Sequence, residues 1–117
     1  MVATTQILKK LRLLQELIGT EEVGDEVTDV TISKLLGYEI DKLRGRQKQI
    51  RERLTAFEES YSLKTEEFAR QFREGTMGDA MDFFEWAALA DMYQEISQRL
   101  AAAEQVSHER SDPVTPQ

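Results

Sequence analysis

The longest periodic pattern of apolar residues lies in the middle of the chain, between residues 30 and 60. Apolar side chains recur there at alternating steps of four and three, which places them on one face of a helix as a coiled-coil seam. The members of this seam are Leu36, Ile40, Leu43, Gln47, Ile50, Leu54, Phe57 and Tyr61. Gln47 is the one polar member, and such a residue commonly fixes helix register at some cost in stability. The pattern predicts a long helix over about 30–60.

A short helix is predicted next, over about 65–74. Its buried face would be Phe68 and Phe72, which lie one helical turn apart. Thr65 has the hydroxyl of a good N-cap residue, and Gly75 is a natural helix end. This segment therefore forms the connector between the long central helix and whatever follows it.

A last helix is predicted over about 80–106. Its seam consists of Leu89, Met92, Ile96, Leu100 and Ala103, and a second apolar strip at its start consists of Phe83, Trp86, Ala90 and Tyr93. Because the two long helices are similar in length and joined by a short connector, we expect an antiparallel helical hairpin.

An additional amphipathic helix is predicted near the N-terminus, over about 5–18. Ile7, Leu11, Leu14 and Ile18 line one of its faces, Leu8 and Leu17 widen that stripe, and Leu13 lies outside it. Residues 20–29 hold five acids and a glycine without an apolar period, which predicts an exposed loop. The leucines of the first helix must be buried somewhere, either on the hairpin of the same chain or on another chain.

These elements predict an all-α fold, with one helical domain over 1–106 and a disordered tail over 107–117. Composition agrees, since 40% of the 117 residues are hydrophobic, 32% are charged, and both prolines fall in the last five positions. No cysteine is present, which excludes disulfides and thiolate metal ligands. The chain has no apolar run of about 20 residues and no signal-peptide pattern at its start, so we expect a cytoplasmic protein that does not enter membranes.

Charge is unevenly distributed along the chain, within a net charge of −7. Residues 42–53 hold six cations and one acid, whereas residues 54–95 hold ten acids and three bases. The net charge argues against non-specific nucleic-acid binding. The basic stretch is compatible with phosphate contacts, with a solvated helix exterior or with an acidic partner, because its cations surround the helix and no aromatic residue lies between them.

Catalytic chemistry finds little support in the sequence, which shows no cofactor motif. The one histidine, His108, falls in the predicted tail, so a Ser–His pair would need that tail to fold back over the core. Asp79, Asp82 and Glu85, facing Glu58 or Glu59, are spaced as carboxylates that could hold Mg²⁺. The simpler interpretation is that Asp79 caps the last helix and Asp82 is a favourable first-turn acid.

The most unusual segment is 75–93, where aromatic and acidic residues alternate. Phe83, Phe84 and Trp86 point in different directions around one helix, and a hairpin with short helices can hardly cover all of them. We therefore predict a partner-binding surface made of Asp79, Asp82, Phe83, Phe84, Glu85, Trp86 and Tyr93. The alternative is that the first helix and the Phe68–Phe72 helix pack over these aromatic rings.

A family resemblance covers about 60 of the 117 residues. It rests on four segments, Thr31-Ile-Ser-Lys-Leu-Leu, Tyr61-Ser-Leu-Lys-Thr-Glu-Glu-Phe, Gly78-Asp and Asp82-Phe-Phe-Glu-Trp. These resemble small helical proteins of bacteria and archaea, many of them encoded beside a compact toxin gene as candidate antitoxins. The resemblance implies partner binding and offers no assigned catalytic residues to carry over.

Three hypotheses about function follow. The first is a non-catalytic, antitoxin-like module that binds and neutralises a small basic protein encoded next to it. The second is a self-assembling helical module that buries the first helix and the long seam in a homo-oligomer. The third is a metal-dependent nucleotide-processing enzyme, which requires four or more carboxylates in one pocket.

Overall fold

The computed structural model describes residues 1–109, and the regular structure in that part of the chain is helical throughout. Four helices follow one another, α1 (Thr4–Ile18), α2 (Glu26–Tyr61), α3 (Thr65–Glu74) and α4 (Met81–Glu109). Residues 1–109 contain no strand, which confirms the predicted all-α fold class. Of the predicted tail, residues 107–109 belong to α4, and residues 110–117 lie outside the described residues.

Helix α2 begins four residues earlier than the apolar pattern predicts, because Asp25 caps it. The backbone N–H of Thr28 donates to Asp25 Oδ1 over 2.8 Å, and the Thr28 hydroxyl donates to Asp25 Oδ2 over 2.9 Å. These bonds satisfy donors that a helix start leaves free, and they lower the pKa of Asp25. Periodicity could not locate this start, since it depends on capping chemistry and not on an apolar face.

The chain divides into two compact units, Met1–Lys34 and Leu35–Gln117, and the boundary falls inside the continuous helix α2. We call them the N-terminal unit and the C-terminal unit. The single helical domain over 1–106 that the sequence predicts stays a prediction. The hydrophobic core contains no residue before Leu36.

The core of the C-terminal unit is built from α2, α3 and α4. Its fully buried apolar residues are Ile40, Ile50, Leu54, Phe68, Trp86, Leu89, Ile96 and Leu100. Both predicted seams contribute to it, with two exceptions, Tyr61 and Met92, which are each 39% exposed. Next to Met92, Tyr93 packs against the core. Counting from Trp86 by three and four residues reaches Leu89 and Tyr93, and Met92 lies about 100° off that stripe.

Side chains of α2 and α4 meet in antiparallel order. The pairs, in order along α2, are Arg44–Glu104, Gln47–Ser97, Arg53–Glu85 and Tyr61–Asp82. Residue numbers rise on α2 while they fall on α4, so these stretches run in opposite directions. Within this register Gln47 donates from Nε2 to the Ser97 hydroxyl oxygen over 3.0 Å, which gives the polar seam residue a partner.

Helix α3 ends at the predicted position. Gly75 adopts a left-handed backbone conformation with φ of 80°, and the backbone N–H of Thr76 donates to the Gln71 carbonyl over 3.0 Å. A residue with a Cβ atom is strained in this conformation. The chain can therefore reverse toward α4 directly after α3.

Two glycine substitutions should change stability in opposite directions. Gly45 lies inside α2, and an added Cβ meets no atom of the described residues within 4 Å, so Gly45→Ala should raise the free energy of unfolding by about 0.5–1 kcal/mol. Gly75→Ala should lower it by about 1 kcal/mol, because alanine must keep the left-handed φ. Urea unfolding followed by circular dichroism measures both. A stabilising Gly75→Ala would contradict the backbone conformation described for that turn.

Candidate functional site

Trp86, which the sequence predicts as a surface anchor, is fully buried instead, with 0% exposure. Its indole ring stacks on Phe68 with centroids 3.9 Å apart and on Phe57 at 5.4 Å. The indole Nε1–H donates to the Thr65 hydroxyl oxygen over 3.1 Å. The short helix α3 covers this ring, as the alternative interpretation holds. Trp86→Ala would cost about 3–5 kcal/mol of stability, so loss of binding in that variant would not identify a surface.

The other predicted aromatic residues are divided between core and surface. Phe83 is half-buried and lies 5.9 Å from Phe68, centroid to centroid. Tyr93 is half-buried as well. Phe84 alone among them is exposed, at 52%, with its ring edge-on to Phe72 at 5.5 Å. Of the four predicted aromatic residues, Phe84 is therefore the one that is exposed to a partner.

The three predicted acids, Asp79, Asp82 and Glu85, are exposed at or just before the start of α4. Asp82 accepts a hydrogen bond of 2.8 Å from the Tyr61 hydroxyl, which raises the pKa of Tyr61, and Glu85 forms an ion pair with Arg53. α4 begins two residues after Asp79. These contacts hold part of the acidic surface in place while leaving it accessible to solvent.

The carboxylates considered for a metal site do not converge. Across residues 1–109 no three or more histidine, aspartate or glutamate side chains are grouped so that they could share a metal ion. Glu58, one of the candidates, is engaged elsewhere, since it accepts the Thr65 N–H over 2.9 Å and lies 3.4 Å from Arg51. The geometry required by the enzyme hypothesis is thus missing from the described part of the chain.

Thr65 has a different role from the predicted one. It is the first residue of α3, and the preceding N-cap position, Lys64, makes no side-chain cap bond. The Thr65 N–H is satisfied by Glu58, while its hydroxyl oxygen accepts from Trp86. A continuous polar connection thus links a half-buried carboxylate on α2, the start of α3 and the buried indole of α4.

The basic stretch 42–53 is largely neutralised by neighbouring acids. Four of its six cations form ion pairs, namely Lys42–Glu39, Arg44–Asp41 and Arg44–Glu104, Arg51–Glu58 and Arg53–Glu85. This arrangement corresponds to the solvated-exterior interpretation. It leaves few cations of α2 for phosphate contacts.

The largest unexplained apolar surface belongs to the N-terminal unit. No residue of α1 is buried. The side chains of its apolar stripe are between 40% and 57% exposed, and they are Ile7, Leu8, Leu11, Leu14 and Leu17. The polar positions Lys9 and Glu16 lie on the opposite face, and Arg12 lies between that face and Leu8 at the edge of the stripe. A stripe of this regularity is typical of a helix that packs against another surface.

An open groove lies between α1 and the first turns of α2, within the N-terminal unit. Its volume is about 1020 Å³. Leu11, Leu14 and Ile18 line one side of it, and Ile32 lines the other. Three acids from the start of α2 also line it, namely Asp25, Glu26 and Asp29. We call this feature the N-terminal groove, an apolar floor with an acidic rim.

The groove could be anticipated only in part. The apolar stripe of α1 is visible in the sequence, but the opposite wall depends on the Asp25 cap that starts α2 early.

Comparison with protein-family models, with curated proteins and with solved structures finds no match to this chain. Within residues 1–109, no helix is both long enough and apolar enough to cross a bilayer.

Stability should fall in acid, and Glu58 should account for part of the loss. Burial raises the pKa of Glu58, but hydrogen bonds from the hydroxyl and N–H of Thr65 and the charge of Arg51 lower it more, so the pKa lies below its ordinary value of 4.5. The unfolded chain therefore binds this proton more readily. The stabilisation is present above about pH 4.5 and is lost as the pH falls through the lowered pKa.

Glu58→Gln should accordingly lower the free energy of unfolding at pH 7 by about 1–2 kcal/mol and flatten its decline in acid. Urea unfolding at a series of pH values measures both effects. Glu59→Gln is the matched control, since Glu59 is exposed one residue away. Equal acid sensitivity in Glu58→Gln and in the unsubstituted protein would show that this carboxylate does not carry the linkage.

Proposed function

We propose that this protein is a non-catalytic protein-binding module and that its N-terminal unit is the main binding surface. The observation that supports this most directly is the exposed apolar stripe of α1. Leaving apolar surface in water costs about 25 cal/mol per Å². A helix of 15 residues is, moreover, only marginally stable without packing. A bound partner that covers the stripe would remove both costs.

The shape of the N-terminal groove favours a helix as the bound element. Amphipathic helices bind in apolar grooves through side chains spaced at three and four residues, with the polar face left in water. Leu11, Leu14 and Ile18 present anchors at this spacing, and Ile32 faces them across the groove.

A second candidate function is antitoxin-like binding of a small basic protein encoded nearby. The observations that favour it are the exposed ring of Phe84 and the exposed acids Asp79, Asp82 and Glu85, all of which lie at or just before the start of α4. An exposed aromatic side chain and exposed acids in one short segment suit a basic partner, because complementary charge raises the association rate and excludes wrong partners. The sequence resemblance to candidate antitoxins supports the same proposal.

Substitutions in the apolar stripe of α1 test the main proposal. The full chain carrying Leu11→Ser and Leu14→Ser should lose association with proteins that the unsubstituted chain binds. Two partners are offered to the chain by co-expression. One is a second copy of the chain with a different tag, and the other is the set of flanking-gene products. Because neither leucine is buried, the variant should keep its helical content by circular dichroism.

Leu13→Ser is the matched control for that experiment. It is the same change in the same helix, at a residue that is 56% exposed but lies outside the stripe. It should lower α1 propensity like each stripe substitution, by about 0.5 kcal/mol, while leaving association intact. If the stripe variant still binds every partner of the unsubstituted chain, the N-terminal unit is not the binding surface.

For the antitoxin-like candidate, Phe84→Ser should weaken capture of a basic flanking-gene product about tenfold or more while preserving the fold. The change removes an exposed ring and leaves Trp86 and Phe68 buried. Met92→Ser on the same helix serves as control, because Met92 is exposed but lies away from the three acids. Undiminished capture by Phe84→Ser would assign any such partner to another surface.

A further inference from the structure

The N-terminal groove specifies the chemistry of what can bind in it. Its floor of leucine and isoleucine needs an apolar stripe, and its rim of Asp25, Glu26 and Asp29 needs positive charge beside that stripe. A nucleic acid is excluded by the acidic rim, which repels phosphate. The matching ligand is a basic amphipathic helix.

Helix α1 is itself such a helix. Its charged residues are Lys9, Lys10 and Arg12 against Glu16, and its stripe has the spacing that the groove requires. Lys10 lies beside Leu14 and Leu17 at one edge of the stripe, and Arg12 lies beside Leu8 at the other. Within residues 1–109 these three cations form no ion pair.

We infer that the N-terminal groove binds α1 of a second copy of this chain, so that two N-terminal units pair symmetrically. The inference rests on the proposed function and names the partner of its main binding surface. Each unit carries both the basic helix and the acidic rim, so one two-fold contact would match both with their complements. On both copies, the apolar floor of the groove and the apolar stripe of α1 would then be removed from water.

The size of the unit is sufficient for such an interface. Stable interfaces bury about 800 Å² on each partner and use about 20–30 residues a side. The N-terminal unit offers 34 residues, none of them buried within the chain. A membrane surface is a weaker match for α1, because the acids of residues 20–29 follow it directly and would be repelled by anionic lipid.

Reciprocal charge reversal tests the pairing in the full chain. Variant one carries Lys10→Glu and Arg12→Glu, and variant two carries Glu26→Lys and Asp29→Lys, which leaves the Asp25 cap intact. Sedimentation over roughly a thousandfold range of concentration should show a dimer for the unsubstituted chain. Each variant alone should dimerise about tenfold or more weakly, because like charges then meet at both contacts.

Mixing the two variants is the decisive measurement. In a mixed pair the reversed helix meets the reversed rim and the native helix meets the native rim, so dimer affinity should return and native mass spectrometry should show the mixed species. The inference would be overturned if neither charge reversal weakened dimer affinity. It would also be overturned if mixing the two variants did not restore that affinity. A monomer that binds anionic vesicles through α1 would overturn it as well.

The outcomes separate this inference from the function it depends on. A strict monomer that captures a flanking-gene product, with capture lost in the Leu11→Ser, Leu14→Ser variant and kept in Leu13→Ser, would overturn self-pairing while leaving the binding module in place. A strict monomer that captures neither its own copy nor a flanking-gene product would overturn both. A dimer with complementing reversals, abolished by the stripe variant, supports both.

Discussion

The structure of the C-terminal unit depends on one requirement, which is that the indole of Trp86 must be dry and also hydrogen-bonded. A buried N–H without a partner would cost about 1–3 kcal/mol. Helix α3 meets both needs, since Phe68 stacks on the ring at 3.9 Å and Thr65 accepts from Nε1. The position of α3 is therefore set by one side chain of α4, and the left-handed turn at Gly75 lets the chain reach that position.

The core centred on Trp86 is built from residues of the C-terminal unit. The aromatic rings that the sequence offers as surface anchors are mostly used to build it, and Phe84 is left outside. In contrast, none of the side chains of the α1 stripe is part of the buried core of residues 1–109. We assign binding to the N-terminal unit because these apolar residues lie outside the core and still keep a regular helical spacing.

Most of the fold could be predicted from the apolar periodicity of the sequence. The seams of α2 and α4 could be predicted because buried positions repeat at three and four residues, and the ends at Gly19 and Gly75 because glycine ends helices. The start of α2 at the Asp25 cap and the burial of Trp86 could not be predicted in this way. The first depends on a cap, and the second depends on which short helix covers the ring. Counting aromatic residues around a helix does not show what lies above them.

The two proposed surfaces are chemically different, and their difference lets both operate in one assembly. The N-terminal groove combines an apolar floor with an acidic rim, whereas the start of α4 offers exposed acids and the exposed ring of Phe84. If copies pair through the first surface, the second is present twice. A basic partner with more than one contact point would then bind with an affinity above that of a single contact, because its second contact is intramolecular. Self-pairing would thus strengthen partner binding without adding any residue to the partner-binding surface.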